Sequence, residues 1–467
     1  MKLGVISLGC DKATVDSEHL VARLVGHGAE VTSALDAADV ILVNTCGFID
    51  AAKRESIEAL LEAGRVKRGG RCRAVVAVGC LVARYGGELK AELPEVDYFF
   101  GFKDLPHLVP RLVQDGLLEA RETAHPGMRH YLGTSPHVRY LKISEGCDHT
   151  CAFCAIPLMR GTHRTRALEE LVQEAAELER QGAREINLVA QDLGHYGRDV
   201  PGGPRLPALV RALLERTAVP WYRCLYVYSA GITPELVELL ARERRLVPYL
   251  DMPIQHATER MLAAMRRPER PDTIRAKVRA LREAVPDLAL RTTVLVGFPG
   301  ETEADHRALV EFLDEVQFDR VGAFAYSAQE GTRAAELPDD VPEAVKQERL
   351  AEVLELQRAI SAERLQRLVG REVEVLVDGP EDGDMATVAL GSRSDRADGA
   401  TAAGASGSLT SGAATGRTMW QADDVDGCTY LRGGGTGGAG RAAAPGSFVR
   451  ACVVESLDYD LVAEPLA

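Results

Sequence analysis

The chain has 467 residues, too many for one ordinary hydrophobic core, so roughly two to four domains are expected. With 46% apolar and 27% charged residues it reads as globular rather than disordered, and no apolar run is long enough for a membrane-spanning helix. A formal net charge of −14 argues against general nucleic-acid binding, because neutralising phosphates requires a surplus of Lys and Arg.

The opening Met1-Lys2-Leu3-Gly4-Val5-Ile6-Ser7-Leu8-Gly9-Cys10 lacks the form of a signal peptide: its apolar stretch is short and runs straight into periodic structure. A cytoplasmic location with reduced thiols is expected, and there ten cysteines serve as ligands, catalysts or core residues more often than as disulfides. Leu3–Ser7, Val40–Asn44 and Ala74–Val78 are β-branched-rich runs of the kind buried on both faces of a parallel sheet, with a further strand near Val96–Phe100. Helical periodicity in Val15–His27 and Asp50–Val66 separates them. The alternation predicts an α/β, doubly wound parallel-sheet domain over residues 1–117. His125-Pro126-Gly127 and Gly133-Thr134-Ser135-Pro136 bracket a linker.

Over residues 133–364 the alternation restarts. Strands are predicted at Arg139–Ser144, Glu185–Gln191, Tyr222–Tyr228, Pro248–Asp251, Ala289–Val296 and Arg320–Tyr326. Leu168, Leu171, Val172, Ala175 and Leu178 mark a helix between the first two, stopped by Gly182. Such βα units predict a TIM-like barrel, full or partial. A long helical pattern then runs from Pro342 to Val369, with Gly370 at its exit. In residues 367–467, Arg371–Val377 and Ser447–Leu457 read as strands of a small antiparallel β-barrel. Gly391–Gly416 and Gly433–Gly440 hold too little apolar content to pack and read as flexible insertions. From Arg371 onward there are 15 acidic and 7 basic residues and no lysine, a balance that attracts a basic partner or simply maintains solubility.

Cysteines form two constellations. Gly146-Cys147-Asp148-His149-Thr150-Cys151-Ala152-Phe153-Cys154 follows a predicted strand, and three thiolates at this spacing can wrap one face of a cubane iron–sulfur cluster. One iron then lacks a protein ligand, as a bidentate small molecule requires; catalytic zinc sites keep a position free in the same way. A structural zinc site, with His149 as fourth ligand, or a set of core thiols are the alternatives. Cys10, Cys46 and Cys80 are scattered in sequence, yet each ends a predicted strand, and consecutive strand ends of a parallel sheet share one rim. They form a second candidate trio; the alternative is that small thiols simply terminate buried strands. Cys72, Cys224, Cys428 and Cys452 have no such placement and read as packing residues. Gly297-Phe298-Pro299-Gly300-Glu301 lacks a Walker lysine and the dinucleotide glycine pattern, and reads as a tight turn before a helix.

Both trios, in their strings, resemble the radical S-adenosylmethionine methylthiotransferase family, across nearly the whole chain. The strings are Ser7-Leu8-Gly9-Cys10-Asp11-Lys12 with Val15-Asp16-Ser17-Glu18, Asn44-Thr45-Cys46-Gly47-Phe48-Ile49, Tyr140-Leu141-Lys142-Ile143-Ser144-Glu145-Gly146-Cys147-Asp148 and Val296-Gly297-Phe298-Pro299-Gly300-Glu301-Thr302-Glu303. Tyr326-Ser327 and Glu330-Gly331-Thr332 add to them. Gly47-Phe48-Ile49 after the second cysteine is similar to the RimO-type branch, which acts on ribosomal protein S-twelve, rather than to the branch acting on tRNA adenosine. Ala13 stands where Asn is usual, Tyr228-Ser229 replaces Tyr-Pro, and the C-terminal TRAM-like motif is broken by Gly-rich stretches.

The resemblance implies two 4Fe-4S clusters, on Cys147, Cys151 and Cys154 and on Cys10, Cys46 and Cys80, with S-adenosyl-L-methionine as cosubstrate. It implies radical insertion of a methylthio group at the β-carbon of an aspartate, on an unactivated C–H bond where acid–base catalysis is useless. Phe153 is expected to pack on the adenine, and Gln191, Asp192, Gln255, His256 and Arg291, at or near strand ends, are the other candidate cofactor contacts; for each the alternative is a structural role. Implied partners are the basic ribosomal protein, a reduced electron donor such as flavodoxin or ferredoxin, and a sulfur donor, with no membrane. The rival readings are a tRNA methylthiotransferase and a non-catalytic iron–sulfur scaffold or electron carrier.

Overall fold

The computed structural model describes residues 1–120, 127–133, 135–380, 414–432 and 443–466. Its first sheet is parallel, in the order β2-β1-β3-β4-β5. The strands are β1 (Lys2–Ser7), β2 (Glu30–Thr32), β3 (Val40–Thr45), β4 (Ala74–Gly79) and β5 (Tyr98–Phe100). β3 and β4 are buried at every residue, which is why they read as unbroken apolar runs. β2 was not anticipated: it is a short edge strand with no buried residue, so it leaves no hydrophobic pattern. The strand order reverses between β1 and β3, and doubly wound sheets place ligands beyond the carboxyl ends at such a point.

The second sheet is all parallel and open, in the order β13-β12-β11-β10-β9-β6, which decides for the partial form of the barrel. It comprises β6 (Val138–Lys142), β9 (Glu185–Val189), β10 (Trp221–Cys224), β11 (Leu246–Asp251), β12 (Ala289–Val296) and β13 (Arg320–Ala325). Between β6 and β9 lies an antiparallel ribbon of β7 (Ser144–Glu145) and β8 (Arg164–Thr165). The single strand expected over Arg139–Ser144 is therefore two. Likewise β10 stops at Cys224 rather than Tyr228, because Tyr226 adopts a left-handed φ of 63° that a strand cannot contain. Helices cover one face: Leu171, Ala175, Leu209, Val278 and Phe312 pack with Ile186, Leu188, Leu250 and Val294 of the strands.

After the helix Glu343–Gln366 the chain closes a five-stranded barrel in the order β14-β15-β16-β18-β17. Its strands are β14 (Glu372–Pro380), β15 (Ala414–Arg417), β16 (Thr429–Leu431), β17 (Phe448–Ser456) and β18 (Leu461–Pro465). One pair, β16 with β18, is parallel; the others are antiparallel. Ala414, Thr415 and Gly416, assigned from sequence to a flexible insertion, belong to β15. Gly416 is needed there because a Cβ would lie 2.4 Å from the Leu376 carbonyl oxygen. The remainder of Gly391–Gly416, all of Gly433–Gly440, His125, Pro126 and Thr134 lie outside the described residues.

The barrel docks on the second sheet through Leu376, Met419, Trp420, Ala422 and Phe448, against Val189, Trp221, Val247, Tyr249 and Ala289. Buried charge is paired across this seam. Glu185, fully buried in β9, accepts from Arg223 Nε at 2.8 Å and from Arg417 Nη1 at 2.6 Å. Among the described residues no helix is long and apolar enough to cross a membrane. Replacing Glu185 by Ala takes the carboxylate from buried Arg223 and leaves Arg417 to Asp378, and the expected cost is about 3–5 kcal/mol. The check is a lowered urea midpoint, with Asp287→Ala, which breaks the exposed pair to Arg371, staying close to wild type.

Candidate active site

Cys10 directly precedes the helix Asp11–Gly26, Cys46 follows β3, and Cys80 opens the helix Cys80–Glu92. A methyl group on Gly9 would sit 3.5 Å from Cys46 Sγ, and one on Gly47 would sit 3.0 Å from the Cys80 carbonyl carbon. The Cys80 thiol is pushed up chiefly by burial, and it lies within electrostatic reach of Cys10. The three half-buried thiols thus gather around the strand reversal. Their backbone is fixed by local polar bonds. Ser56 Oγ accepts from the Cys46 N–H at 2.9 Å and donates to the Cys46 carbonyl at 2.9 Å. Asn44 donates to Ala13 O and Ser17 Oγ, tying the first helix to β3. Gly79, at φ 101°, leaves only 2.2 Å between a would-be Cβ and Asn44 Oδ1, so no side chain fits immediately before Cys80.

The second trio lies in one loop whose two ends β7 and β8 clamp together. Gly146, at φ 76°, approaches the Thr162 carbonyl so closely that a Cβ would fall 2.1 Å from its oxygen. Cys147 N–H donates to Gly161 O, and Ala152 N–H to Met265 O. Burial pushes the Cys147 thiol up to about 11 and the Cys154 thiol to about 12, with the neighbouring thiols adding to it. Cys147 and Cys154 face the backbone N–H groups of His149 and Ile156. Cys151 instead meets two side chains, Tyr228 Oη and Arg267 Nη1, each 3.7 Å from its sulfur. An all-sulfur trio, unlinked by disulfides and surrounded by N–H and O–H donors, suits thiolate ligation of an iron–sulfur cluster. His149 offers its Nε2 to Asp192 at 2.8 Å and stacks on Tyr228 at 4.2 Å.

One cationic bridge joins the two trios. Arg160 Nη1 donates to Asp16 at 2.9 Å and to Glu145 at 3.0 Å, and the guanidinium is within electrostatic reach of Cys80 and Cys10. Its Nη2 is buried, and the side chain also hydrogen-bonds the Cys80 thiol. Lys142 donates to Asp16 and, at 2.6 Å, to Glu145. Burial works against the Glu145 charge, but Lys142 and Arg160 hold its carboxyl down to about 2. Lys12, beside Cys10, places its ammonium 3.6 Å from the ring centre of Tyr226. None of these bridging roles was drawn from sequence. The one local signal is the Lys142–Glu145 spacing in the string that leads into the cysteine loop.

Of the other sequence-predicted residues, Phe153 is half-buried against Ala152, Met261, Met265, Phe298 and Tyr326. Gln191 reaches Glu145 at 3.5 Å, while its own Oε1 is buried without a partner among the described residues. Gln255 takes a left-handed φ of 69° and bridges to Val294. Burial alone would raise the Asp192 carboxyl, yet hydrogen bonds from His149 and from His195 (2.7 Å) hold it well below the usual range. His256 is fully buried, its Nδ1 accepting from the N–H groups of Ala257 and Thr258. Arg291 is paired with Asp251 at 3.4 Å and with Asp426 of the C-terminal barrel at 4.0 Å. The predicted turn at Gly297–Glu301 is present: Glu301 Oε2 accepts from Gly297 N–H at 2.7 Å, ahead of the helix Glu303–Val316.

Residues 141–313 match the Radical SAM superfamily, residues 2–101 an uncharacterized protein family designated UPF0004, and residues 407–466 the TRAM domain. The ribosomal protein uS12 methylthiotransferase RimO of Geobacter sulfurreducens is 40% identical over 99% of this chain and 98% of its own. That of Anaeromyxobacter sp. (strain K) is 42% identical over 99% of this chain and 92% of its own. In fold, the chain is similar to the radical S-adenosylmethionine methyltransferase TsrM from Kitasatospora setae, with a TM-score of 0.53 and 15% identity over 69% of this chain and 72% of that one.

Burial pushes the His256 imidazole down to about 4, from an ordinary 6.5. Between those values the unfolded chain takes up a proton that the folded chain refuses, so His256 withdraws stability as pH falls through this window. His256→Asn keeps an oxygen for the two N–H groups and removes that titration. Its urea midpoint is expected to drop less than that of wild type between pH 7 and pH 4.5.

Proposed function

We propose, for a chain that belongs to the RimO family of ribosomal protein uS12 methylthiotransferases, a division of the reaction between its two cysteine trios. The protein is a radical S-adenosylmethionine enzyme that inserts a methylthio group at the β-carbon of an aspartate in uS12. It uses 4Fe-4S clusters and S-adenosylmethionine. Cys147, Cys151 and Cys154 hold the cluster that engages S-adenosylmethionine; Cys10, Cys46 and Cys80 hold the cluster that carries the sulfur. The observation behind this assignment is the pair of all-sulfur trios joined by the Asp16–Arg160–Glu145 bridge.

When bound, the clusters and S-adenosylmethionine supply the electron, the 5′-deoxyadenosyl radical, the sulfur and its methyl group. The chain's own task is to orient and to shield. Gly79 and Gly146 allow the backbone to bring each trio together, and Ser56 holds Cys46 by both its amide groups. Phe153, Gln191 and Gln255 line the cosubstrate position. Asp192 acts through His149, which it holds in the cluster loop, while His256 and Arg291 support the wall behind it through their protein partners. In this reading the β-carbon gives up a hydrogen atom and not a proton, so no general base is assigned. A ribosomal substrate supports a cytoplasmic location, and a reduced flavodoxin or ferredoxin together with a separate sulfur donor completes the cycle. Modules at 1–117, 133–364 and 367–467 suit this division.

Anaerobic reconstitution tests it. With S-adenosylmethionine, dithionite and a uS12 peptide, Cys147→Ala is expected to abolish both 5′-deoxyadenosine and the methylthio product. Cys46→Ala is expected to retain 5′-deoxyadenosine and to lose the product. Mass spectrometry of a deletion strain that showed loss of methylthio-adenosine in tRNA with modified uS12 intact would reverse the substrate assignment.

A further inference from the structure

We propose that Tyr228 and Arg267 set the reduction potential of the cluster on Cys147, Cys151 and Cys154 by donating hydrogen bonds to one ligand sulfur, that of Cys151. The inference rests on the ligand assignment made above. Among the described residues, these two polar groups approach the Cys151 sulfur, each at 3.7 Å. The sulfurs of Cys147 and Cys154 meet backbone N–H groups, which any sequence would supply. Among the described residues, Cys151 is thus the ligand whose sulfur takes its hydrogen bonds from side chains.

The two donors come from separate parts of the second domain and are locked to each other. Tyr228 follows β10, and Arg267 follows the helix Glu259–Ala264. The guanidinium lies 4.0 Å from the centre of the Tyr228 ring, and the same ring stacks on His149 at an interplanar angle of 5°. Arg267 is 4% exposed; its Nη2 donates to Pro253 O at 2.7 Å and to Glu269 at 3.1 Å. With Nη2 held by these two acceptors, Nη1 is left to the sulfur.

A hydrogen bond or a fixed positive charge at a ligating sulfur stabilises the electron-rich reduced cluster more than the oxidised one, which raises the potential. Burial strengthens the effect, because little solvent screens it. Arg267 carries a permanent charge and Tyr228 only a dipole, so Arg267 contributes the larger part. Both are positioning residues acting through Cys151, and neither is required to touch the substrate.

The full chain carrying Cys10→Ala, Cys46→Ala and Cys80→Ala holds a single cluster whose electron paramagnetic resonance signal can be followed against applied potential. In that background Arg267→Gln is expected to shift the reduction equilibrium about tenfold toward the oxidised form, ~59 mV for one electron. Tyr228→Phe is expected to shift it about threefold in the same direction, and Arg267→Lys to recover part of the arginine effect. Tyr228→Phe keeps the ring stack, so it decides the matter if Arg267→Gln fails to load. A loaded Tyr228→Phe protein with the parent's potential overturns the inference while leaving the ligand assignment standing. A parent that assembles no 4Fe-4S cluster overturns the ligand assignment, and this inference with it.

Discussion

Carboxylates removed from water must meet cations, and that requirement orients the N-terminal domain on the radical core. Glu18 and Glu174 are at most 2% exposed, and Arg129 donates to both, joined by Arg139 at Glu18 and by Arg166 and His19 at Glu174. Asp16 is served by Lys142 and Arg160. Asp16 and Glu18 belong to the helix Asp11–Gly26, whereas all the cations except His19 come from beyond the first sheet. A shifted docking would leave several charges buried and unpaired, at several kcal/mol each. Apolar packing alone tolerates sliding; this network does not.

Both trios inherit their placement from that docking, but they are assembled in different ways. Cys10, Cys46 and Cys80 stand at three strand ends, so the hydrogen-bond register of β1, β3 and β4 carries them to one rim. Cys147, Cys151 and Cys154 share one loop, whose shape depends on the β7–β8 clamp, on Gly146, and on the stacked side chains of His149, Tyr228 and Arg267. The strand-end trio is stiff because a sheet is stiff. The loop trio needs outside support, and obtains it from residues far away in the chain.

The C-terminal barrel spends part of its acidity inward. Asp378 pairs with His137 and Arg417, Asp423 accepts from Tyr140, and Asp426 faces Arg291 and Arg320. Part of the surplus noted in the tail therefore fastens the barrel to the radical core instead of advertising a surface to a basic partner. Glu185, Arg223 and Tyr249 of the second sheet are fully buried.

Much of the frame was legible in the sequence, as were the strand-end and loop positions of the six cysteines. Buried parallel strands write themselves as continuous apolar runs, and the Cys147–Cys154 spacing is a local fact. Strand ends could be read for Cys10, Cys46 and Cys80 because each terminates such a run. The edge strand β2, the glycine-containing strand β15 and the early stop of β10 at the left-handed Tyr226 left no periodic trace. Nor did the partners of charge: Lys142 lies 126 residues from Asp16, and Arg267 lies 116 from Cys151. Sequence by itself determined which segments are buried and which thiols could act together, since burial and loop spacing are encoded within a few residues. Tertiary structure alone decided which cation answers which carboxylate or sulfur, because a buried charge is matched by whatever the fold brings within about 4 Å, at any distance along the chain.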